Sequence, residues 1–278
     1  MLENYNLGSK LILAILFAVL LYMVLRYAIK LIEMAYVIKH KKPLYTHFYL
    51  FKRKLSPSQK SILKRNFTFY NKLPKEYRPY FEHRLASFIK DKDFIGREGV
   101  KPTEEMKVLI SATAVMLTFG FRDFYIGLIS KIVIYPDEFY SRTNDAYHKG
   151  EFNPKLKALV LSWKDFKKGF ENGKDNLNLG IHEFSHAIHL NSIKERDISS
   201  TIFSDSFSEL SEILSEDEGL RKALMTSDYF RDYAFTNRFE FVAVAIESFI
   251  ETPQEFNNQF PKIYKTIRQM LNFNFAGY

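Results

Sequence analysis

Two histidines stand four residues apart, with a glutamate directly after the first, in the stretch NLGIHEFSHAIHL at 178–190. Side chains four apart on a helix share a face, so the imidazoles of His182 and His186 can bind one zinc ion. Glu183, one residue further round, stands where a general base for a metal-activated water is needed. By composition alone, an HExxH occurs in fewer than about one chain of this length per hundred.

A catalytic zinc also needs a third protein ligand and one position left for water. Downstream carboxylates are numerous: Asp205, Glu209, Glu212, Glu216, Asp217, Glu218, Glu240 and Glu247. Spacing alone does not choose among them. Glu209 and Glu212 lie about one helix and loop past His186, in an acidic stretch that also reads as a solvated helix face. His189 follows His186 by one turn, but three ligands on one short helix would crowd. No HExxHxxGxxH pattern follows. Glu240 opens the apolar run FVAVAIESFI, which favours a carboxylate projecting from a buried element; the spacing Asn237 to Glu240 equally suits an N-cap and its N3 partner.

The elements that must position these residues are mostly helical. SPSQKSILKRNFTFYNKL and EYRPYFEHRLASFIKDK read as amphipathic helices divided at Leu73-Pro74, and GREGVKP (96–102) as a loop. TEEMKVLISATAVMLTF reads as a helix capped by Thr103 and stopped at Gly120. KIVIYP (131–136) and KALVLSW (157–163) read as short, mostly buried strands joined by a polar loop. Helices are expected over 178–191, about 205–225, 237–251 and 261–272. Few strands among many helices imply an α+β fold with a small sheet packed on helices. The second strand precedes the HExxH helix, so Ala158–Ser162 is expected to bind an extended substrate by β-addition; Trp163 reads as core. Residues 200–232 lie between the two halves of the site and could gate it.

The 278 residues contain no cysteine, which excludes disulfides and thiolate metal sites. The net charge of +8 looks like a nucleic-acid signal until it is located. Residues 1–65 hold twelve Lys/Arg and two acids, leaving the other 213 residues at −2, so no nucleic-acid partner is expected. Leu11 to Leu25 is free of charge, and continuing past a snorkelling Arg26 to Ile29 gives a membrane-spanning length. No basic region precedes Lys10 and no A-x-A-like site follows, which argues against a signal peptide. The basic KHKK (39–42) and KRK (52–54) put the C-terminal body in the cytoplasm by the positive-inside rule. The chain therefore reads as an N-terminal transmembrane anchor and basic juxtamembrane segment (1–42), followed by a peptidase domain (43–278).

Several motifs, in order along about 85–275, resemble the Mlc titration factor A family of zinc-dependent peptidases. They are FIKDKDFIGREGVKPTEEMKVLISATAVML (88–117), IVIYPDEF (132–139), and LSWKDFKKGF followed by DNLNLGIHEFSH. The segment Tyr233-x-x-Thr236-Asn237-x-x-Glu240-Phe241 resembles the third-ligand motif shared with the anthrax lethal factor catalytic domain. The resemblance implies a zincin-like fold, with His182, His186 and Glu240 as zinc ligands, Glu183 as general base, and Tyr233 supporting the oxyanion or leaving amine. It implies a zinc metallopeptidase acting on peptide or protein substrates. The alternative is a regulatory protein that sequesters a partner such as a transcriptional repressor, with a structural or vestigial zinc site. The family usually has aspartate where His189 stands and glycine where Asn176 stands; asparagine also tolerates a left-handed turn. Glu247, seven residues after Glu240, is a candidate for supporting a ligand from outside the metal sphere.

Overall fold

The Asn6 carboxamide accepts the amide of Ser9 at 2.8 Å and starts the first helix, α1 (Leu7–His40), which ends where Lys41 turns left-handed. At 34 residues and about 1.5 Å per residue, α1 is long and apolar enough to cross a membrane, and none of its most apolar window is buried. The computed structural model describes residues 6–141, 145–171 and 173–277, so the flanking Glu3 lies outside the described residues. The chain divides into two compact units, Met1–Leu44 and Tyr45–Tyr278.

The second unit opens with α2 (Pro57–Asn66), α3 (Thr68–Lys72) and α4 (Arg78–Asp91). The single amphipathic helix expected over the first of these stretches breaks at Phe67, whose extended backbone lets its ring bury. Strand β1 (Asp93–Gly96) follows, then α5 (Glu104–Leu117), capped by Thr103 and buried along almost its whole length. Helix α5 ends three residues before Gly120. Next come β2 (Lys131–Tyr135), β3 (Phe139–Ser141), β4 (Ala146–His148), β5 (Gly150–Asn153) and β6 (Ala158–Ser162). The remainder is helical: α6 (Trp163–Glu171), α7 (Leu179–Lys194), α8 (Ile198–Glu216), α9 (Glu218–Thr226), a 3₁₀ turn (Asp232–Phe235), α10 (Arg238–Glu251), α11 (Pro253–Gln259) and α12 (Pro261–Met270).

The two expected strands form as β2 and β6 and pair in parallel, Ile132 opposite Leu159 and Ile134 opposite Leu161. The polar loop expected between them is instead a β3–β4 hairpin and then β5. The four-stranded sheet runs β1-β2-β6-β5, parallel except for β5. This order corrects one expectation. Strand β6 is flanked on both sides, so it has no free edge for a substrate; β5 is the edge strand.

One apolar core joins the sheet to α4, α5, α7, α10 and α12. Helices α5 and α10 flank α7, which carries the paired histidines, so a buried element holds them from both sides. Gly180 lets α7 approach α6: a Cβ there would lie 2.4 Å from the Phe166 ring.

Candidate metal centre

The Asn178 side chain accepts the amide of Ile181 at 3.1 Å and starts α7, so His182, Glu183 and His186 fall in its first two turns. Asn237 does the same for α10, accepting the amides of Phe239 and Glu240 at 2.9 and 3.0 Å. Glu240 does not complete a capping box. Its carboxylate turns to the histidines instead, with Oε2 3.1 Å from His182 Nε2 and 3.3 Å from His186 Nε2. The two Nε2 atoms are 3.1 Å apart.

That triangle is the geometric test for a metal. Bonds of about 2.0–2.1 Å at tetrahedral angles place donor atoms about 3.3–3.4 Å apart, close to the edges seen here. Glu240 Oε2 is buried and makes no hydrogen bond, as expected of an oxygen whose partner is a cation. Among the described residues, this His182–His186–Glu240 set is the one group of donors arranged to hold an ion.

His182 is braced from behind. Its Nδ1 lies 2.8 Å from Glu247 Oε1, which makes Nδ1 the protonated nitrogen and turns the Nε2 lone pair to the triangle. Glu247 is almost fully buried and is held in turn by Arg231 Nη2 at 2.7 Å and by the backbone amide of Asn178 at 2.7 Å. Burial would lower the His182 pKa, but the adjacent carboxylates of Glu240 and Glu247 outweigh it and hold it up at about 9. For Glu240, the two imidazoles overcome burial and hold the carboxyl well below the usual range. Surroundings that favour an imidazolium favour a metal cation on the same lone pair.

Glu183 and Tyr233 both line an open cleft of about 450 Å³ with His182 and Glu247. Burial raises the Glu183 carboxyl, countered by both histidines. The Tyr233 ring lies 5.9 Å from that of His182, and burial together with the Glu240 charge pushes its hydroxyl up to about 12. Tyr233 thus keeps its proton near neutrality and can donate it.

Edge strand β5 forms one wall. Ser162 N donates to Lys149 O at 2.7 Å, which sets the antiparallel alternation: Glu151 and Asn153 bond to β6, while Gly150 and Phe152 turn their backbone groups to the free edge. A Cβ on Gly150 would lie 2.7 Å from both Cγ and Oε1 of Glu183. The bare glycine is what leaves Glu183 its place.

The other sequence candidates fall elsewhere. Glu209 and Glu212 are exposed on α8, Glu209 bonding Gln269 at 3.1 Å. His189 is buried among Phe203, Phe207 and Phe239, stacked on the last at 4.6 Å, and packs rather than binds. Asn176 adopts the left-handed turn (φ 55°), and its carbonyl accepts from Arg231. Trp163 stacks on Phe166 and packs against the core. Sequence reasoning missed Arg231, Gly150 and Asn178. Only Asn178 had a local signal, as a capping residue just before the HExxH helix.

Two imidazoles and a carboxylate within reach of one ion, with His182 lining an open cleft, on a mostly helical α+β body, fit a mononuclear metal site of the hydrolytic kind. The family model of the glucose-regulated metallo-peptidases M90 matches residues 44–272. The chain belongs to that family, the zinc peptidases of Mlc titration factor A. It is also similar to an uncharacterized protein of Synechocystis sp. (strain ATCC 27184 / PCC 6803 / Kazusa), 26% identical over 239 residues that cover 79% of this chain and 85% of the other.

Proposed function

We propose that the protein is a membrane-anchored, zinc-dependent peptidase of zincin-like fold, with its catalytic body in the cytoplasm. The observation that carries this reading is the donor triangle of His182, His186 and Glu240 beside Glu183 and Tyr233, within a chain of a metallopeptidase family. Two nitrogens and one carboxylate oxygen suit zinc, with a fourth position facing the cleft.

A bound zinc ion would polarise the scissile carbonyl and acidify a water molecule. The protein's own groups do the rest. Glu183 takes a proton from the attacking water and returns it to the leaving amine; the raised carboxyl makes its carboxylate a stronger base for the first of these transfers than an ordinary glutamate. Tyr233 donates a hydrogen bond to the oxygen that gains charge in the tetrahedral transition state. Arg231 and Glu247 keep the His182 ring oriented and its Nδ1 proton in place. The free edge of β5 offers the Gly150 and Phe152 backbone groups to an extended peptide, beside Glu183.

Helix α1 supports the anchor, and the cations at and just past its end (Lys39, Lys41 and Lys42) support a cytoplasmic body.

The test is zinc content and cleavage of a peptide panel by the full chain and by Glu183→Gln. Both proteins are expected to bind one zinc, and the variant to lose about 10²–10⁴-fold in rate. Zinc in both with cleavage by neither would favour the partner-sequestering alternative. Absence of zinc from the parent protein would end the site assignment.

A further inference from the structure

The segment leading from Leu44 into the catalytic body has two different faces. Its inner face is fixed. The His47 ring stacks on Tyr80 (4.9 Å between centroids, 13° between planes) and lies 4.6 Å from Phe119. Tyr49 packs 4.1 Å from the His83 ring. The buried Arg84 guanidinium donates to Thr46 O at 3.0 Å and to the Tyr49 hydroxyl at 2.7 Å. Its other N–H groups bond the carbonyls of Thr118, Phe119 and Phe121, riveting the segment to the end of α5. Four residues past Tyr49, the Arg53 amide donates to His83 Nδ1 at 2.8 Å.

The outer face carries the opposite chemistry. Phe48, Leu50 and Phe51 are 70%, 81% and 91% exposed. Removing such side chains from water is favourable, so a segment fixed on its inner face that holds three of them in water is short of a covering surface. The charge around them says which surface. From Met34 to Lys75 the chain has eleven Lys/Arg and no Asp or Glu, including Lys52, Arg53 and Lys54 directly after Phe51. Protein interface cores are depleted in lysine; aromatic and aliphatic side chains fringed by Lys and Arg match the headgroup region of an anionic leaflet. Four residues separate His40 from Tyr45, and the five steps between them reach at most about 18 Å.

We infer that Phe48, Leu50 and Phe51 insert into the interface of an anionic phospholipid leaflet, with Lys52–Lys54 on its headgroups. This second contact holds the body against the membrane instead of leaving it to swing on a short tether. The inference rests on the reading of α1 as a membrane span.

The experiment uses the full chain in lipid nanodiscs containing about one third phosphatidylserine. Trp163 is the only tryptophan, so Trp163→Phe with Phe51→Trp gives a single reporter at 51. Zinc content checks that this double variant is folded. The expected result is blue-shifted emission, quenched about twofold by lipids brominated near the headgroup and less by lipids brominated deep in the chains. A companion reporter, Trp163→Phe with Tyr22→Trp, tests the span itself. Quenching at 22 with water-like emission at 51 overturns the interfacial contact and leaves the anchor standing. Blue-shifted emission at 51 without bromolipid quenching also overturns it, in favour of a protein partner. No quenching at 22 removes the anchor, and the interfacial contact falls with it.

Discussion

At the scale of single residues, the orientation of His182 depends on groups outside the donor triangle. Glu247 accepts its Nδ1 proton, and Arg231 and Asn178 hold Glu247. Glu247→Gln keeps an acceptor but removes the charge, so zinc affinity is expected to fall about 10–100-fold, read by competition with a chromophoric chelator. Glu251, one turn on, gives a different prediction. One oxygen accepts from Asn178 Nδ2 at 3.0 Å, while the other is buried without a partner. Burial pushes its carboxyl up to about 7. A folded-state value above the unfolded one means that the unfolded chain gives up this proton first. Stability is therefore lost as pH rises from about 4.5 to about 7, and the penalty is complete above that range. Glu251→Gln removes the penalty. Partial exposure limits the gain to on the order of 1 kcal/mol, seen in thermal melts at pH 8 and absent near pH 4.5. The sequence told these residues apart unevenly. HEFSH announces itself because two histidines and a glutamate, the types of two ligands and a base, lie within five positions. Glu240 is separated from His186 by two helices and a 3₁₀ turn, and only a motif resemblance singled it out. Arg231 had no signal, because its role comes from a carboxylate sixteen residues away that the chain folds back to meet.

At the scale of elements, the site is a meeting of α7, α10 and β5. The two helices were legible: each has a long apolar run, and the cap expected at Asn237 forms, while Asn178 caps the other without having been expected to. The buried strands β2 and β6 were legible for the same reason, as β-branched and leucine-rich runs. Strand β5 was not. Its four residues, Gly-Glu-Phe-Asn, are all half-buried and show no apolar run; they are a strand because β6 supplies hydrogen-bond partners. That hidden strand carries the sharpest element-level prediction. Gly150→Ala keeps a backbone that any residue can adopt, but its methyl group collides with Glu183 and with Leu179 Cδ1, each at 2.7 Å. Glu183 must move, and displacement of a reacting group by about 1 Å costs about 100-fold. The expected outcome is a loss of that order in kcat with one zinc still bound. Unchanged kcat would mean that Glu183 is not held by the strand or is not the base.

At the scale of the whole molecule, charge and hydropathy divide the chain in a way that no local motif does. The basic residues crowd the first 65 positions and the remaining 213 carry −2, so the electrostatic footprint belongs to the N-terminal end rather than to the cleft. The two compact units divide earlier, Met1–Leu44 carrying α1 and Tyr45–Tyr278 carrying the donor triangle, so the basic residues from Lys52 to Arg65 belong to the second unit. Orientation then follows from translocation energetics. Moving Lys39, Lys41, Lys42 and the KRK at 52–54 across the bilayer would oppose the bias that sets topology, whereas only Lys10 lies on the short N-terminal side. The body is therefore expected on the cytoplasmic face. In sealed inside-out vesicles, added trypsin should degrade residues 45–278. In right-side-out vesicles the body should survive until detergent is added. Protection in the inside-out vesicles instead would reverse the orientation and move the peptidase, with any substrate it meets, to the other side of the membrane.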